Sequence, residues 1–530
     1  MTKIFKYTVV LVLLSGGMSG CTKNFNSINT NPASYNQSDF DPNFLLTTAE
    51  VAYTGSYDFA YDTWRANLIY ASGIIQGFST VLSYWDGDKY KLSASYTAAY
   101  WGFSGDGAYS EQMKPIVDII QSTTGKPQYK NLHEIARIMR VLIAQRITDL
   151  YGDCPYSEAG LGYYSKNYFP KYDKQQDIYN DMLTEVSDAV ANLDPTADKP
   201  AGDMIYKGDV DKWKRFGNTL ILRIAMRLTK VDPATAKTWV TKVIGATMTS
   251  NADNAFINGD NSGGLSTINR NSLVLTGEGG QEPYYVKWSD TYINLLKSAG
   301  DPRLGKVAVT QLYTDPNSII QNTAYNASPS VQKGMPNGKD LSGIAGRDIS
   351  TDPSYTSMPD YSSPNPGMIK TNGPTFILTY GESELLLAEA AERFAIGGSA
   401  AQHYHDGVKA AITYLSQYDP ALAISDGDAE TFVTSHPYNA ANGLQMINTQ
   451  YWMLTNSMLD FYESWANWRR SGYPALVPVV YPNNVTGGSI PRRFPYPLAE
   501  SNVNPDNYKP ASAAVPGGDN LTGRVWWDKQ

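Results

Sequence analysis

The chain has 530 residues, among them 38 Tyr, 11 Trp and 15 Phe, so aromatics reach 12% while charged residues reach only 18%. A hydrophobic content of 42% and a mean hydropathy of −0.36 exclude a disordered chain and a polytopic membrane protein. A formal charge of −8 lacks the basic footprint that nucleic acid demands, whereas Tyr and Trp, apolar bodies with polar handles, suit a neutral ligand.

Residues 1–20 read as a lipoprotein signal peptide. Lys3 and Lys6 form a basic start, Tyr7 to Leu14 an apolar run too short to span a bilayer, and Ser19-Gly20 precede Cys21. That order predicts cleavage before Cys21 and acylation of its thiol, a lipid anchor rather than a membrane span. Cys154 is then left without an intramolecular partner, so the fold does not depend on disulfides. Residues 21–42, rich in Asn, Ser and Pro, read as an extended tether.

From 43 to 530 the pattern is that of one mainly α domain. Its helical blocks cover about 43–248 and 375–473, a loop-rich insert about 249–374, and an irregular Pro-rich tail 474–530. A helical stretch Trp64–Leu82 comes early. In Asn131–Leu150, Leu132, Ile135, Met139, Leu142 and Ile147 recur at three- and four-residue steps. Lys174–Leu193 is a second such helix and Asp209–Lys230 a third, apolar enough to be buried. Asp232-Pro233 opens a fourth, to about Met248. In the second block, the stripe Leu387, Ala388, Ala391 and Phe394 ends at Gly397-Gly398. A partner helix carries Ala401, Tyr404, Val408 and Leu415, a hairpin of tetratricopeptide size. One long helix is expected over Thr449–Arg470. The insert lacks sustained periodicity and mixes Asn, Gly, Ser and Pro with scattered Tyr and Trp, the composition of a packed binding-type loop region.

A search for reactive chemistry is negative. His133-Glu134 continues to Arg137, so the zincin spacing fails, and His403 and His405 diverge on one helix. There is no Gly-x-Ser-x-Gly elbow and no Walker loop. Asp426-Gly427-Asp428 and Asp253–Asp260 lack EF-hand spacing and read as solvated turns. No enzyme, cofactor or metal is expected.

Several motifs, in order, resemble the SusD/RagB family of outer-membrane nutrient-binding lipoproteins. They are Cys21 followed by Ile28-Asn29-Thr30-Asn31-Pro32, Asp149-Leu150-Tyr151-Gly152-Asp153 running into Pro155-Tyr156-Ser157-Glu158-Ala159, and Arg223-Ile224-Ala225-Met226-Arg227-Leu228. Near the end stand Trp465-Ala466-Asn467-Trp468-Arg469-Arg470, then Pro491-Arg492-Arg493-Phe494-Pro495, then Val525-Trp526-Trp527-Asp528. The resemblance implies a tetratricopeptide-like helical scaffold of four units with a large loop-rich ligand-binding face and few short strands. It implies a SusC-like TonB-dependent transporter as partner, with this chain as its lid, and placement in the cell outer membrane, anchored to outer-membrane lipid through acylated Cys21 and exposed at the surface. It also implies an oligosaccharide ligand, or a peptide in some members. The residues after Cys21, Thr22-Lys23-Asn24-Phe25, lack the acidic pattern of many surface lipoproteins.

Sugars lay their apolar C–H faces on aromatic rings and give their hydroxyls to amides and carboxylates. Two clusters have that make-up, Tyr84-Trp85-Asp86-Gly87-Asp88-Lys89-Tyr90 and Gln281-Glu282-Pro283-Tyr284-Tyr285-Val286-Lys287-Trp288. The expected ligand contacts are Trp85, turned outward by the break at Gly87, with Tyr84, Asp86, Tyr90, Tyr284, Tyr285 and Trp288. Trp101, Trp213, Trp452, Trp465 and Trp468 are expected to pack between helices. The sequence thus predicts a non-enzymatic lipoprotein that captures oligosaccharides and passes them to the transporter. The alternatives are the same lid role for peptides, or a sealing protein with little ligand affinity.

Overall fold

A computed structural model describes residues 40–57, 61–102, 106–277 and 280–529. The signal peptide, Cys21 and the tether through residue 39 lie outside the described residues.

Ten helices carry the scaffold. They are α1 (Asn43–Tyr53), α2 (Lys114–Thr123), α3 (Lys130–Tyr151), α4 (Gln175–Asn192), α5 (Val210–Arg227), α6 (Pro233–Val243), α7 (Tyr380–Phe394), α8 (Ala400–Thr413), α9 (Gly443–Ser457) and α10 (Phe461–Ser471). Local chemistry sets their ends. The Asp209 side chain accepts from the Lys212 amide and opens α5, and Asp232 does the same for Thr235 with Pro233 in the first turn of α6. At α7 the Thr379 hydroxyl and the Glu382 carboxylate cap each other's amides, and Ala395, at φ 53°, ends the helix.

Consecutive helices pack as four pairs, α2 with α3, α4 with α5, α7 with α8 and α9 with α10. Close approach needs small residues at the crossings. A Cβ on Gly217 of α5 would stand 2.3 Å from Val190 of α4, and one on Gly407 of α8 2.9 Å from Leu385 of α7. The pairs close on one continuous apolar core, and Asn43–Gln530 forms a single unit. No helix among the described residues is long and apolar enough to cross a membrane.

The expected helix over Thr449–Arg470 is in fact two. Leu459 adopts φ 60°, and the Asp460 carboxylate caps α10 by accepting from the Glu463 amide at 3.2 Å. The apolar pattern runs on through the break, which hides it; the Asp460-x-x-Glu463 capping pattern marks it. The stretch Trp64–Leu82 is likewise interrupted. A wide-turned helix covers Asp62–Ser72, and the chain then reverses through Gln76, at φ 55°, into strand β1 (Phe78–Thr80).

Five further strands, β2 (Ala255–Asn258), β3 (Val286–Trp288), β4 (Ala308–Val309), β5 (Ser363–Pro364) and β6 (Pro374–Leu378), organise the insert. β2 and β6 pair antiparallel, Ala255 opposite Leu378 and Asn258 opposite Pro374, so the insert leaves and returns at one place. β4 pairs with β5. β3 pairs with β1 and carries the insert back onto the first helical block.

The motifs that carry the family resemblance meet inside this scaffold. Arg223 of α5 donates to Glu382 of α7 at 2.7 Å, and Arg227, one turn on, pairs with Glu463 of α10 and Asp149 of α3. Tyr451 of α9 bridges Glu382 and Glu463, and the Trp527 indole donates to Asp149 at 2.9 Å. Arg470 forks onto Glu389, and Arg493 donates to the Tyr151 carbonyl at 2.7 Å. Burial alone would raise the Glu389 carboxyl, yet Arg470 and Arg393 hold it down to about 2. Such a network fixes the register of four helix pairs against one another, since a buried charge left without its partner costs about 3–5 kcal/mol.

Candidate ligand-binding site

The β1–β3 pairing sets Phe78 opposite Trp288, Ser79 opposite Lys287 and Thr80 opposite Val286. The two chains diverge from that register, one forward to Tyr84 and the other backward to Glu282. The two aromatic clusters, some two hundred residues apart in sequence, therefore become one surface.

Glu282 joins them. Its side chain is buried, and its Oε1 accepts from the Tyr84 hydroxyl at 2.7 Å and from the Trp64 indole at 2.9 Å. Trp64 stacks on Tyr61, with centroids 6.2 Å apart and planes 23° apart, and meets Tyr84 edge-on at 6.3 Å. The Arg65 guanidinium lies over Tyr61 at 4.0 Å and over Tyr96 at 5.2 Å, and its Nε is buried without a hydrogen-bond partner among the described residues. Tyr284 and Tyr285 pack edge to face at 4.8 Å. Tyr61, Trp64, Arg65, Tyr84, Tyr284 and Tyr285 are all half-buried, so each keeps an accessible part. Partial burial and the neighbouring Glu282 carboxylate push the Tyr84 phenol well above its ordinary range, so it stays a donor at every physiological pH.

Beside Glu282 an open cleft of about 390 Å³ is lined by Gly280, Gln281, Pro283, Tyr284 and the segment Pro316–Ile319. The lining offers one ring, two prolines, an isoleucine, two side-chain amides and a hydroxyl, with no charged side chain among them.

Three expected contacts are instead foundations. Trp85 is 2% exposed, and Tyr90 and Trp288 are fully buried. Trp85 turns inward because the buried Lys89 ammonium gathers the carbonyls of Thr80, Leu82 and Trp85 at 3.0–3.3 Å, curling the loop around itself. Gly87 sits so close beneath the Asp62–Ser72 helix that a Cβ there would stand 2.3 Å from the Ile69 carbonyl. The break at Gly87 thus packs the loop down instead of presenting a ring. Tyr90, at φ 53°, accepts at its hydroxyl from the Val479 amide and at its carbonyl from the Val485 amide. Trp288 stacks on Tyr292 at 4.6 Å, touches Phe78 at 4.6 Å, and donates to the Val307 carbonyl.

Of the remaining expected contacts, Tyr84, Tyr284 and Tyr285 stand on the composite surface, and Asp86 is half-buried beside Lys91. Trp101, Trp213, Trp452, Trp465 and Trp468 are all buried. Sequence reading did not single out Tyr61, Trp64 or Arg65; Trp64 and Arg65 fall in the expected helical stretch Trp64–Leu82, where rings usually pack, and Tyr61 lies just before it. Glu282 was visible in its cluster, but its partners were not. His403 pairs with Glu384 and His405 with Glu430, and no group of three or more His, Cys, Asp or Glu among the described residues could hold a metal ion.

Comparison with known families matches residues 34–497 to the SusD-like family, described as starch-binding and associating with the outer membrane. Among solved structures, the chain is similar to a chitin-binding protein at 32% identity and a TM-score of 0.78, over 92% of this chain and 100% of that one. It is similar to a Bacteroidetes SusD-like protein at 26% identity and a TM-score of 0.78, over 93% and 100%. A SusD homolog from Bacteroides uniformis, at 21% identity and a TM-score of 0.72 over 93% and 100%, shares the fold. Comparison with curated proteins gives no significant match.

Proposed function

The chain belongs to the SusD-like family, and on that premise we propose that it captures uncharged oligosaccharides at the Trp64–Tyr84–Tyr284 surface and passes them to a SusC-like TonB-dependent transporter. In this reading acylated Cys21 holds it at the outer membrane, and its role is binding without turnover. The observation that carries the reading is the double acceptance by Glu282, which fastens two half-exposed rings of the first block, Trp64 and Tyr84, to the distant segment that carries Tyr284 and Tyr285. Stacked and tilted rings receive the C–H faces of a pyranose, and the Gln281 and Asn317 amides and the Ser318 hydroxyl answer its hydroxyls.

The described residues that line the cleft carry no charge, which favours a neutral glycan over a peptide, whose termini and side chains would be desolvated there without partners. The similarity to a chitin-binding protein points the same way. Glycosidases need two carboxyl groups flanking the scissile bond, whereas the Glu282 carboxylate beside this cleft is committed to Trp64 and Tyr84.

Calorimetry of the mature chain against malto- and chito-oligosaccharides and against peptide mixtures tests this. Saccharide binding that Trp64→Ala weakens at least about tenfold is expected, equivalent to ~1.4 kcal/mol. Binding of peptides alone, or saccharide binding indifferent to Trp64→Ala, would overturn it.

A further inference from the structure

A third concentration of rings lies in the segment 163–169. Tyr163 and Tyr168 are each 65% exposed, Phe169 57% and Tyr164 40%. Solvent-facing aromatics in such density mark contact surfaces, and here four fall within seven residues.

The segment is firmly held. Glu158 accepts from the Asn167 side chain at 3.0 Å and from the Lys171 amide at 2.9 Å. Asn167 accepts in turn from the Phe169 amide at 3.0 Å. From the tail, Asn504 donates to the Pro170 carbonyl at 2.8 Å, Asn507 to the Phe169 carbonyl at 3.0 Å, and Glu500 accepts from Tyr172 at 2.6 Å. Tyr163 meets Tyr164 edge to face at 5.2 Å, and the Lys166 ammonium sits 4.7 Å from the Tyr163 ring. Tyr168 lies against Gly162, where a Cβ would stand 3.2 Å from the ring. Glu158 and Asn167 within the loop, and Glu500, Asn504 and Asn507 from the tail, thus hold its backbone, and the ring faces remain to engage a ligand. A surface fixed in advance costs little ordering entropy on binding.

We propose that this loop is a second carbohydrate-contact surface, which takes an uncharged polysaccharide chain too long to be held by the cleft alone. The ligand class rests on the carbohydrate reading above; the location does not, because none of the residues that pin the loop lines the cleft. Rings rather than aliphatic chains make up the patch proper, and ring faces are what the C–H faces of a pyranose stack on. Leu498 and Val503, 68% and 58% exposed, extend its apolar edge. Val477 and Val480, 78% and 90% exposed, lie elsewhere and offer no ring face. Two surfaces on one rigid body raise affinity for a polymer that spans both, and leave affinity for a short oligomer unchanged.

The test is a double variant, Tyr163→Ala with Phe169→Ala, compared with Trp64→Ala in the mature chain. Binding is measured to amylose and colloidal chitin and to tetrasaccharides of each, with melting temperature as the check on folding. The double variant is expected to bind the polymers about tenfold more weakly and the tetrasaccharides as before. Tyr163→Lys, which keeps a long solvent-facing side chain, gives the same pattern at smaller amplitude. A wild-type chain with equal affinity for polymer and tetrasaccharide overturns the proposal. So does a well-folded double variant with native polymer affinity, including one that instead loses association with a protein partner. If Trp64→Ala leaves tetrasaccharide binding intact while the double variant loses polymer, the cleft reading fails and the second surface stands.

Discussion

Glu282→Ala isolates how far the ligand surface depends on a single oxygen. Glu282 is 2% exposed, and its Oε1 accepts from Trp64 at 2.9 Å and Tyr84 at 2.7 Å. A hydrogen bond to a charged acceptor contributes about 1.5–3 kcal/mol, so the two together reach roughly 3–6 kcal/mol before compensation. Tyr84 and Trp64 are half-exposed and recover part of this from water, which leaves roughly 2–3 kcal/mol of local stability lost. Both rings then become free to rotate, and a saccharide must pay to order them. Immobilising two such side chains costs about 1–3 kcal/mol, or roughly a factor of 5 to 150 in Kd. Glu282→Gln keeps an oxygen in place without the charge and is expected to fall between wild type and Ala. Calorimetry with an oligosaccharide reads the affinity, and near-ultraviolet circular dichroism reads the fixed environment of Trp64. Unchanged Kd and an unchanged spectrum in Glu282→Ala would refute the reasoning.

Three further outcomes follow from the geometry. Trp85→Ala removes a side chain that is 2% exposed and is expected to cost about 3–5 kcal/mol in urea unfolding; a large loss of binding at native stability would return Trp85 to the ligand. Burial pushes the Lys287 ammonium down from 10.5 to about 7, so the unfolded chain binds more protons across that interval and stability rises with pH from about 7 toward 10.5. Lys287→Met removes a slope of at most about 1.4 kcal/mol per pH unit, and parallel stability curves for the two proteins between pH 7 and 9 would contradict this. Arg470→Ala strands Glu389, both being fully buried, at an expected cost of about 3–5 kcal/mol; denaturant titration giving under about 1 kcal/mol would show that Arg393 suffices.

The pairs α4–α5 and α7–α8 were legible because their periodicity is local, as is that of Asn131–Leu150 within α3, whereas α9 and α10 read as one helix because the apolar pattern runs through their break. What the sequence hid was set by contacts distant along the chain. The union of the two aromatic clusters depends on Thr80 pairing with Val286, and nothing near either residue announces the other. The inward turn of Trp85 depends on the Lys89 ammonium, which a hydrophilic loop pattern places in water rather than beneath three carbonyls. Trp64 was masked by its own neighbours, since a ring within a helical pattern is most often a packing residue. The family motifs were legible as motifs, but their convergence on buried Asp149, Arg227 and Glu463 required the fold.

The antiparallel register of Ala255–Asn258 with Pro374–Leu378 places both ends of the segment 259–373 side by side. That pairing closes the segment like a clasp, and the β1–β3 pairing and Glu282 dock it a second time onto the first helical block. A lengthened, shortened or rewritten segment therefore leaves the ends where they were, and the cost of a longer loop grows only logarithmically with its length. Half of the proposed ligand surface, Glu282 with Tyr284 and Tyr285, rides on that segment, while Trp64 and Tyr84 stay with the frame. On the proposed reading, the cleft, whose described lining lies wholly within 259–373, can be rewritten without moving the helices that hold Trp64 and Tyr84.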